Sequence, residues 1–347
     1  MPSITETPTR ISVTQAGKLG ALLGTLAPAA EAFLDSRYFP PSGDAPEHVA
    51  RFLFFVTSID HRTSPPGQSF EGFIEGAHFQ GSDLLWHLSL RKYQADSGFF
   101  DPSHMATLTE ADVRQWLTVQ RPVRVTIRNP GERADLLRDC GQRLLERFEG
   151  SVLNLLKRAS HRLVRSVDRA HPGLLSLLAH FKAYEDPATK KAFLLLKFLL
   201  RRGLWTVDDI DQIRIPVDNH LSRIAFRTGI VDVSTDLATK LRQGVSVEVT
   251  TDIALRRIVA DAYGRVALHA QRSVLELDDF LWHFGRQCCT ADPPPVCVRG
   301  CSGTCYAATK LLPLSCGSEC PLHLSCKAYN DVPRRQLREP KLETWYY

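Results

Sequence analysis

The chain lacks any run of about 18 uninterrupted apolar residues, the length a bilayer-spanning helix requires. Its opening residues, MPSITETPTR, carry no basic stretch followed by an apolar one, so the expectation is a cytoplasmic protein rather than a secreted one. The apolar run LGALLGTLAPAAEAFL begins too late for a leader and has an amphipathic, helix-like pattern. Charge of one sign is scarce. Lys and Arg number 43 against 38 Asp and Glu, and the net charge of +5 permits an anionic partner without demanding one. Cysteine is almost missing from the first 287 positions, where Cys140 stands alone; the other eight fall between positions 288 and 326. In a reducing compartment such a cluster is a metal site before it is a disulfide framework. There is no internal repeat and little strand-like alternation.

What remains is an ordinary globular composition, 44% hydrophobic over 347 residues, which suggests about two domains. Helical spacing dominates. Residues 14–34 form a first helix by this reading, and VARFLFFVTSID is apolar enough for a buried helix or strand. LTEADVRQWL opens on Thr109 followed by acidic residues, a helix start. PVRVTIRNPGE alternates like a short strand. From Arg133 onward Leu136, Leu137, Cys140, Leu144, Leu145 and Phe148 form one stripe, and Ser151 is placed to cap the next helix. KKAFLLLKFLLRRG ends at Gly203, a natural stop. Further helices begin near Asp218 and in DIALRRIVADAYGRVALHA and LELDDFLWHFGRQCC, with VSVEVTTD extended before them. The resulting boundaries are a tail (1–12), an N-terminal helical region (13–130), a core (131–287), a Cys-rich loop (288–330) and a second tail (331–347).

Three features bear on chemistry. Positions 141–205 hold thirteen Lys and Arg against five Asp and Glu, either a phosphate-facing surface or a solvated helix face. Lys190 and Lys191 open an apolar helix just after Pro187, where the helix dipole and burial both favour a neutral amine, the form that attacks a sugar carbon. The alternative is a solvated basic pair. Asp218 follows Pro216 and Val217 at a helix start. It is an N-cap, and a carboxylate fixed there can also stabilise a cationic sugar or activate a nucleophile.

Two resemblances sharpen these readings. IRIPVDNHLSRIAFRTGIVD resembles the segment bearing the catalytic aspartate in the helix-hairpin-helix DNA glycosylase superfamily, above all in archaeal 8-oxoguanine DNA glycosylases, and LELDDFLWHFGR resembles their last core helix. The turn AYEDPAT lacks the Gly-x-Gly hairpin with which most such enzymes hold a DNA phosphate. CGSECPLHLSC resembles the end of the iron–sulfur loop of endonuclease III-like enzymes. Over more of the chain, HMATLTEADVRQWL, GQRLLERFEGSVLNLLKRA, TKKAFLLLKFLL and VSVEVTTDIALRRIVADAYGRV resemble, in order, blocks of the queuosine salvage proteins, although Asn219 and His220 stand where that family has Tyr and Arg after its aspartate.

These resemblances imply a mainly α, two-lobed DNA-glycosylase-like fold with a C-terminal Cys-rich metal-cluster loop. They imply an N-glycosidase with Asp218 and Lys190 as catalytic residues and Lys191, Asp60, His61 and His220 as substrate contacts. Lys190 is either a Schiff-base former, giving lyase activity, or a phosphate ligand. The implied cofactor is a [4Fe–4S] cluster on Cys289, Cys316, Cys320 and Cys326, with Cys288, Cys297, Cys301 and Cys305 as alternative ligands and zinc as the rival metal. The first expectation for substrate is a damaged or modified base in DNA. The alternatives are queuosine 5′-monophosphate in nucleotide salvage, and a non-catalytic nucleic-acid-binding member of the fold. The partner is thus DNA or a modified nucleotide, with no membrane.

Overall fold

In the computed structural model, residues 9–25, 36–63, 69–166, 169–301 and 319–347 are described. No helix among them is long and apolar enough to cross a membrane. Helices dominate, and the described strands form three two-stranded antiparallel sheets. Contacts divide the chain into two units that are discontinuous in sequence: Glu31–Ile213 with Thr344–Tyr347, and Met1–Ala30 with Arg214–Glu343.

The 31–213 unit is built on the helix Pro46–Ser58, whose residues Phe52 to Val56 are all fully buried. A helix apolar on every side belongs in the middle of a core, and this settles the segment that periodicity left open between helix and strand. Pro46 starts it at a position where the missing N–H costs nothing. The helices Ser82–Ala95, Pro130–Phe148, Val152–Ala159 and Lys190–Arg201 pack around it. Glu47 on its first turn accepts from Val152 N–H (2.8 Å) and Leu153 N–H (3.0 Å), so one acidic side chain closes the start of a second helix alongside Ser151. The helix start read at Thr109 is closed by a capping box with Asp112. The basic stretch divides: Lys190, Lys191 and Lys197 are buried, so these three charges do not belong to a solvated or phosphate-facing surface.

The 214–343 unit has its own core. Its longest helix, Val249–Ala270, packs against Val13–Leu23, and Asn219–Thr228 packs against Val274–Gln287. The segment read as extended, VSVEVTTD, is helical from Val249; before it only an isolated bridge joins Ser246 to Lys341. Its β-branched residues favour strands weakly, and packing of the following amphipathic run overrides them. Arg10 and Ile11, within the segment read as tail, pair with Asp232 and Val231. Among its described residues the Cys-rich stretch has a short helix, Val296–Arg299, and a 3-10 turn, Lys327–Tyr329.

Candidate functional site

Asp218 caps the Asn219–Thr228 helix from an extended backbone (φ −101°, ψ −170°), the usual conformation of an N-cap. Its Oδ1 accepts from Leu221 N–H at 2.8 Å, and its carbonyl accepts from Ser222 Oγ at 2.9 Å. Among the described residues its Oδ2 accepts no hydrogen bond. One oxygen of a half-buried carboxylate therefore holds the helix start and the other is left for an incoming group. Arg256, 1% exposed, locks the residues on either side: Nη1 donates to Val217 O (3.2 Å), Nη2 to Asn219 Oδ1 (2.7 Å) and Nε to the fully buried Asp252 Oδ2 (2.9 Å). Such charge-assisted bonds fix geometry more strongly than neutral ones.

Two residues on, His220 Nδ1 faces Arg223 Nη2 at 2.9 Å. A guanidinium only donates, so Nδ1 accepts and the proton of the neutral ring is assigned to Nε2. Burial is the main cause that lowers the His220 pKa to about 4, against the opposing pull of Asp218. Arg223 also donates to Cys289 O (2.8 Å), Gly285 O (3.0 Å) and Glu339 Oε2 (2.5 Å). Burial is the largest influence and works against its charge, but Glu339 and its other anionic neighbours, Asp218 among them, together outweigh it and raise the pKa. Gly285 lets the two helices meet here, because a Cβ on it would stand 2.5 Å from His220 Cβ.

The second cluster lies in the 31–213 unit, where the chain leaves the central helix. Four consecutive carbonyls are held by buried cations: Ser58 O by Lys191 Nζ (2.5 Å), Ile59 O by Arg133 Nη1, Asp60 O by Lys190 Nζ (3.1 Å) and His61 O by Arg133 Nη2 (2.6 Å). Lys191 is fully buried, and its Nζ is enclosed by Ser58 O and His61. Burial, then the neighbouring Lys190 and Arg133, depress its pKa well below the usual lysine value. Burial likewise lowers the Arg133 pKa to about 10. Asp186 accepts from Lys190 N–H at 2.7 Å and caps the helix the two lysines open.

These clamps present Asp60 and His61. Asp60 Oδ2 accepts from Ser82 Oγ (2.6 Å) and Trp86 Nε1 (2.9 Å), and among the described residues its Oδ1 accepts nothing. His61 Nδ1 is 3.3 Å from both Lys191 Nζ and Arg133 Nη1, and its Nε2 is 3.0 Å from Glu132 Oε1. With cations at Nδ1, the proton is again assigned to Nε2, donating to Glu132. Burial, then Arg133 and Lys191, hold the His61 pKa well below its ordinary value.

The six residues expected in one site thus fall in two clusters: Asp60, His61, Lys190 and Lys191 in the 31–213 unit, and Asp218 with His220 in the 214–343 unit. Sequence reasoning missed Arg133, Glu132, Arg223 and Arg256. The pair Asp252 and Arg256, four apart on a helix, was a visible signal, although it reads as an exposed bridge until burial is known.

Of the metal ligands expected, Cys316 and the alternative Cys305 lie outside the described residues. Cys288, Cys289, Cys297, Cys320 and Cys326 line one cavity of about 20 Å³, while Cys301 is not among its lining residues. Among the described residues no three His, Cys, Asp or Glu side chains are placed to hold a metal ion.

A sequence model of the queuosine salvage proteins matches residues 41–295. A curated relative, the queuosine 5′-phosphate N-glycosylase/hydrolase of Dictyostelium discoideum, is 23% identical over 215 residues, which are 56% of this chain and 63% of the relative. The chain thus spans under two thirds of that relative's length. The family match takes in Asp60, His61, Lys190, Asp218, His220 and Arg223, and stops before Cys297. Of the two resemblances read from the sequence, the wider one is the one supported, and the helix-hairpin-helix DNA glycosylase assignment is not. With more than half of its length matched, the chain belongs to the queuosine salvage protein family.

Proposed function

We propose that the chain is an N-glycosyl hydrolase that releases the modified base from a queuosine-type nucleotide 5′-monophosphate. The family match across both polar clusters carries this reading, and the printed activity of the Dictyostelium relative supports it. The reaction breaks the bond between base nitrogen and C1′. The bonding electrons leave with the base, and the sugar passes through an oxocarbenium-like state that water captures.

Asp218 is the group proposed to face that positive charge. Its capping bond holds Oδ1, so Oδ2 is presented without reorganisation, either to stabilise the sugar cation or to accept a proton from the attacking water. His220 is neutral at pH 7, with its Nε2–H available to hydrogen-bond the departing base. In the other unit Asp60 Oδ2 is held by Ser82 and Trp86, which fixes that carboxylate too. Lys190 acts as a clamp on Asp60 O, and no covalent step is assigned to it.

The DNA-repair reading, placed first by the sequence, is less well supported. The match favours nucleotide salvage, and three of the cations counted toward a DNA surface are buried. The test is to incubate the full chain with queuosine 5′-monophosphate and, separately, with lesion-bearing duplexes, and to measure released base. Queuine is expected from the mononucleotide alone; base released only from duplex would overturn the assignment.

A further inference from the structure

Beyond the family match, a second feature of the 214–343 unit has no part in glycosidic chemistry. Five cysteines from two stretches separated in sequence open onto one cavity, beside Arg227 and Arg335. Arg227 is only 3% exposed and donates from Nη1 to Cys289 Sγ at 3.5 Å, while Cys326 Sγ lies 3.6 Å from the Arg227 carbonyl. Cys289, Cys297 and Cys326 all lie within electrostatic reach of Cys320. Cys288 instead belongs to the fully buried apolar core.

We propose that Cys289, Cys297, Cys320 and Cys326 form a tetrahedral thiolate site for a single zinc-like divalent ion. Soft sulfur donors in fourfold arrangement select zinc or iron–sulfur chemistry. The small cavity, about 20 Å³ and room for roughly one water-sized body, favours a single ion over a cube of four irons and four sulfides. The four thiols line the cavity without converging on one point, so closing on an ion requires side-chain rotation between staggered rotamers. Each S–H releases its proton to solvent as its metal–sulfur bond forms, so four thiolates around a divalent ion carry a net charge of −2. Arg227 and Arg335 are the two cations at the cavity wall that offset it, and the Arg227 N–H···S bond is the kind that tunes a metal thiolate. The ion would tie Cys320 and Cys326 to Cys289, just after the Val274–Gln287 helix, a structural rather than catalytic role.

The experiment uses the full chain, expressed with zinc and purified under reducing conditions, with zinc, iron and acid-labile sulfide measured on the same sample. About one zinc per chain and no sulfide is expected. Cys320→Ser with Cys326→Ser should lower zinc at least tenfold, and Cys301→Ser should leave it unchanged. Should the double variant fail to fold, cobalt(II) added to the wild-type chain provides the second readout. Intense sulfur-to-cobalt charge transfer with tetrahedral d–d bands supports the site. Absence of stoichiometric metal together with a featureless cobalt titration overturns it, as does iron with equimolar sulfide.

Discussion

At the scale of single residues, Asp218 carries two roles that substitution can separate. Asn caps a helix as well as Asp does, whereas Ala does not. Asp218→Asn should therefore keep wild-type stability, and Asp218→Ala should lose about 1 kcal/mol of it, read from denaturant melts. Both should lower kcat on queuosine 5′-monophosphate by about 100-fold or more, because neither offers a charged oxygen. An Asn variant with full turnover would remove Asp218 from the chemistry while leaving the cap intact. The cap itself was legible, since a proline and an acidic residue ahead of a helical run are local signals. The lysine pair was only half legible. Its position at a helix start can be read from the sequence, but its acceptors are carbonyls 130 and 133 positions earlier, and no local pattern reports them.

At the scale of elements, the approach of the Asn219–Thr228 and Val274–Gln287 helices rests on Gly285. Alanine there would gain roughly 1 kcal/mol of helix propensity. It would also force a Cβ within 2.5 Å of His220 Cβ, which is tied to the backbone and cannot swing away. Overpacking of this kind costs typically about 1–3 kcal/mol, so Gly285→Ala should be net destabilising by up to about 2 kcal/mol. Gly264 is the control. A Cβ there meets nothing within 4 Å, so Gly264→Ala should stabilise the chain by roughly 0.5–1 kcal/mol. Equal effects of the two changes would show that the helix contact is loose. Elements with strong local punctuation, such as the capped helices after Thr109 and Ser151, were read correctly. The hairpin of Glu71–Ile74 and Ala77–Gln80 was not recognised. Its signal was present in Glu75 and Gly76, whose positive φ values of 51° and 83° suit a two-residue hairpin turn, but Glu is a weak marker of that conformation.

At the scale of the whole molecule, the units in the fold are discontinuous, and contacts between distant stretches have no signature in a single sequence. Each unit nonetheless carries a histidine held neutral, fully enclosed for His61 and half-buried for His220, and both contribute to the acid limb of stability. The folded-state pKa of His220 is about 4, and that of His61 is well below its usual value, mainly through burial in both cases. In the unfolded chain both titrate near 6.5. As pH falls below about 6.5 the unfolded state takes up protons that the folded state refuses, so stability must decrease. For His220 alone the loss approaches roughly 3 kcal/mol by pH 4, at about 1.4 kcal/mol per unit. Carboxylates with depressed pKa values, such as Glu339, extend the loss at still lower pH, because their contribution disappears as they protonate. Urea melts between pH 7.5 and 4.5 should show a midpoint that is nearly level above about pH 6.5 and falls below it. His220→Asn should flatten that slope, because its side chain adds no proton-binding site to the unfolded state. A midpoint constant across this range would mean that both imidazoles ionise as freely in the folded chain as in the unfolded one, contradicting the burial and the cationic neighbours that Arg133, Lys191 and Arg223 provide.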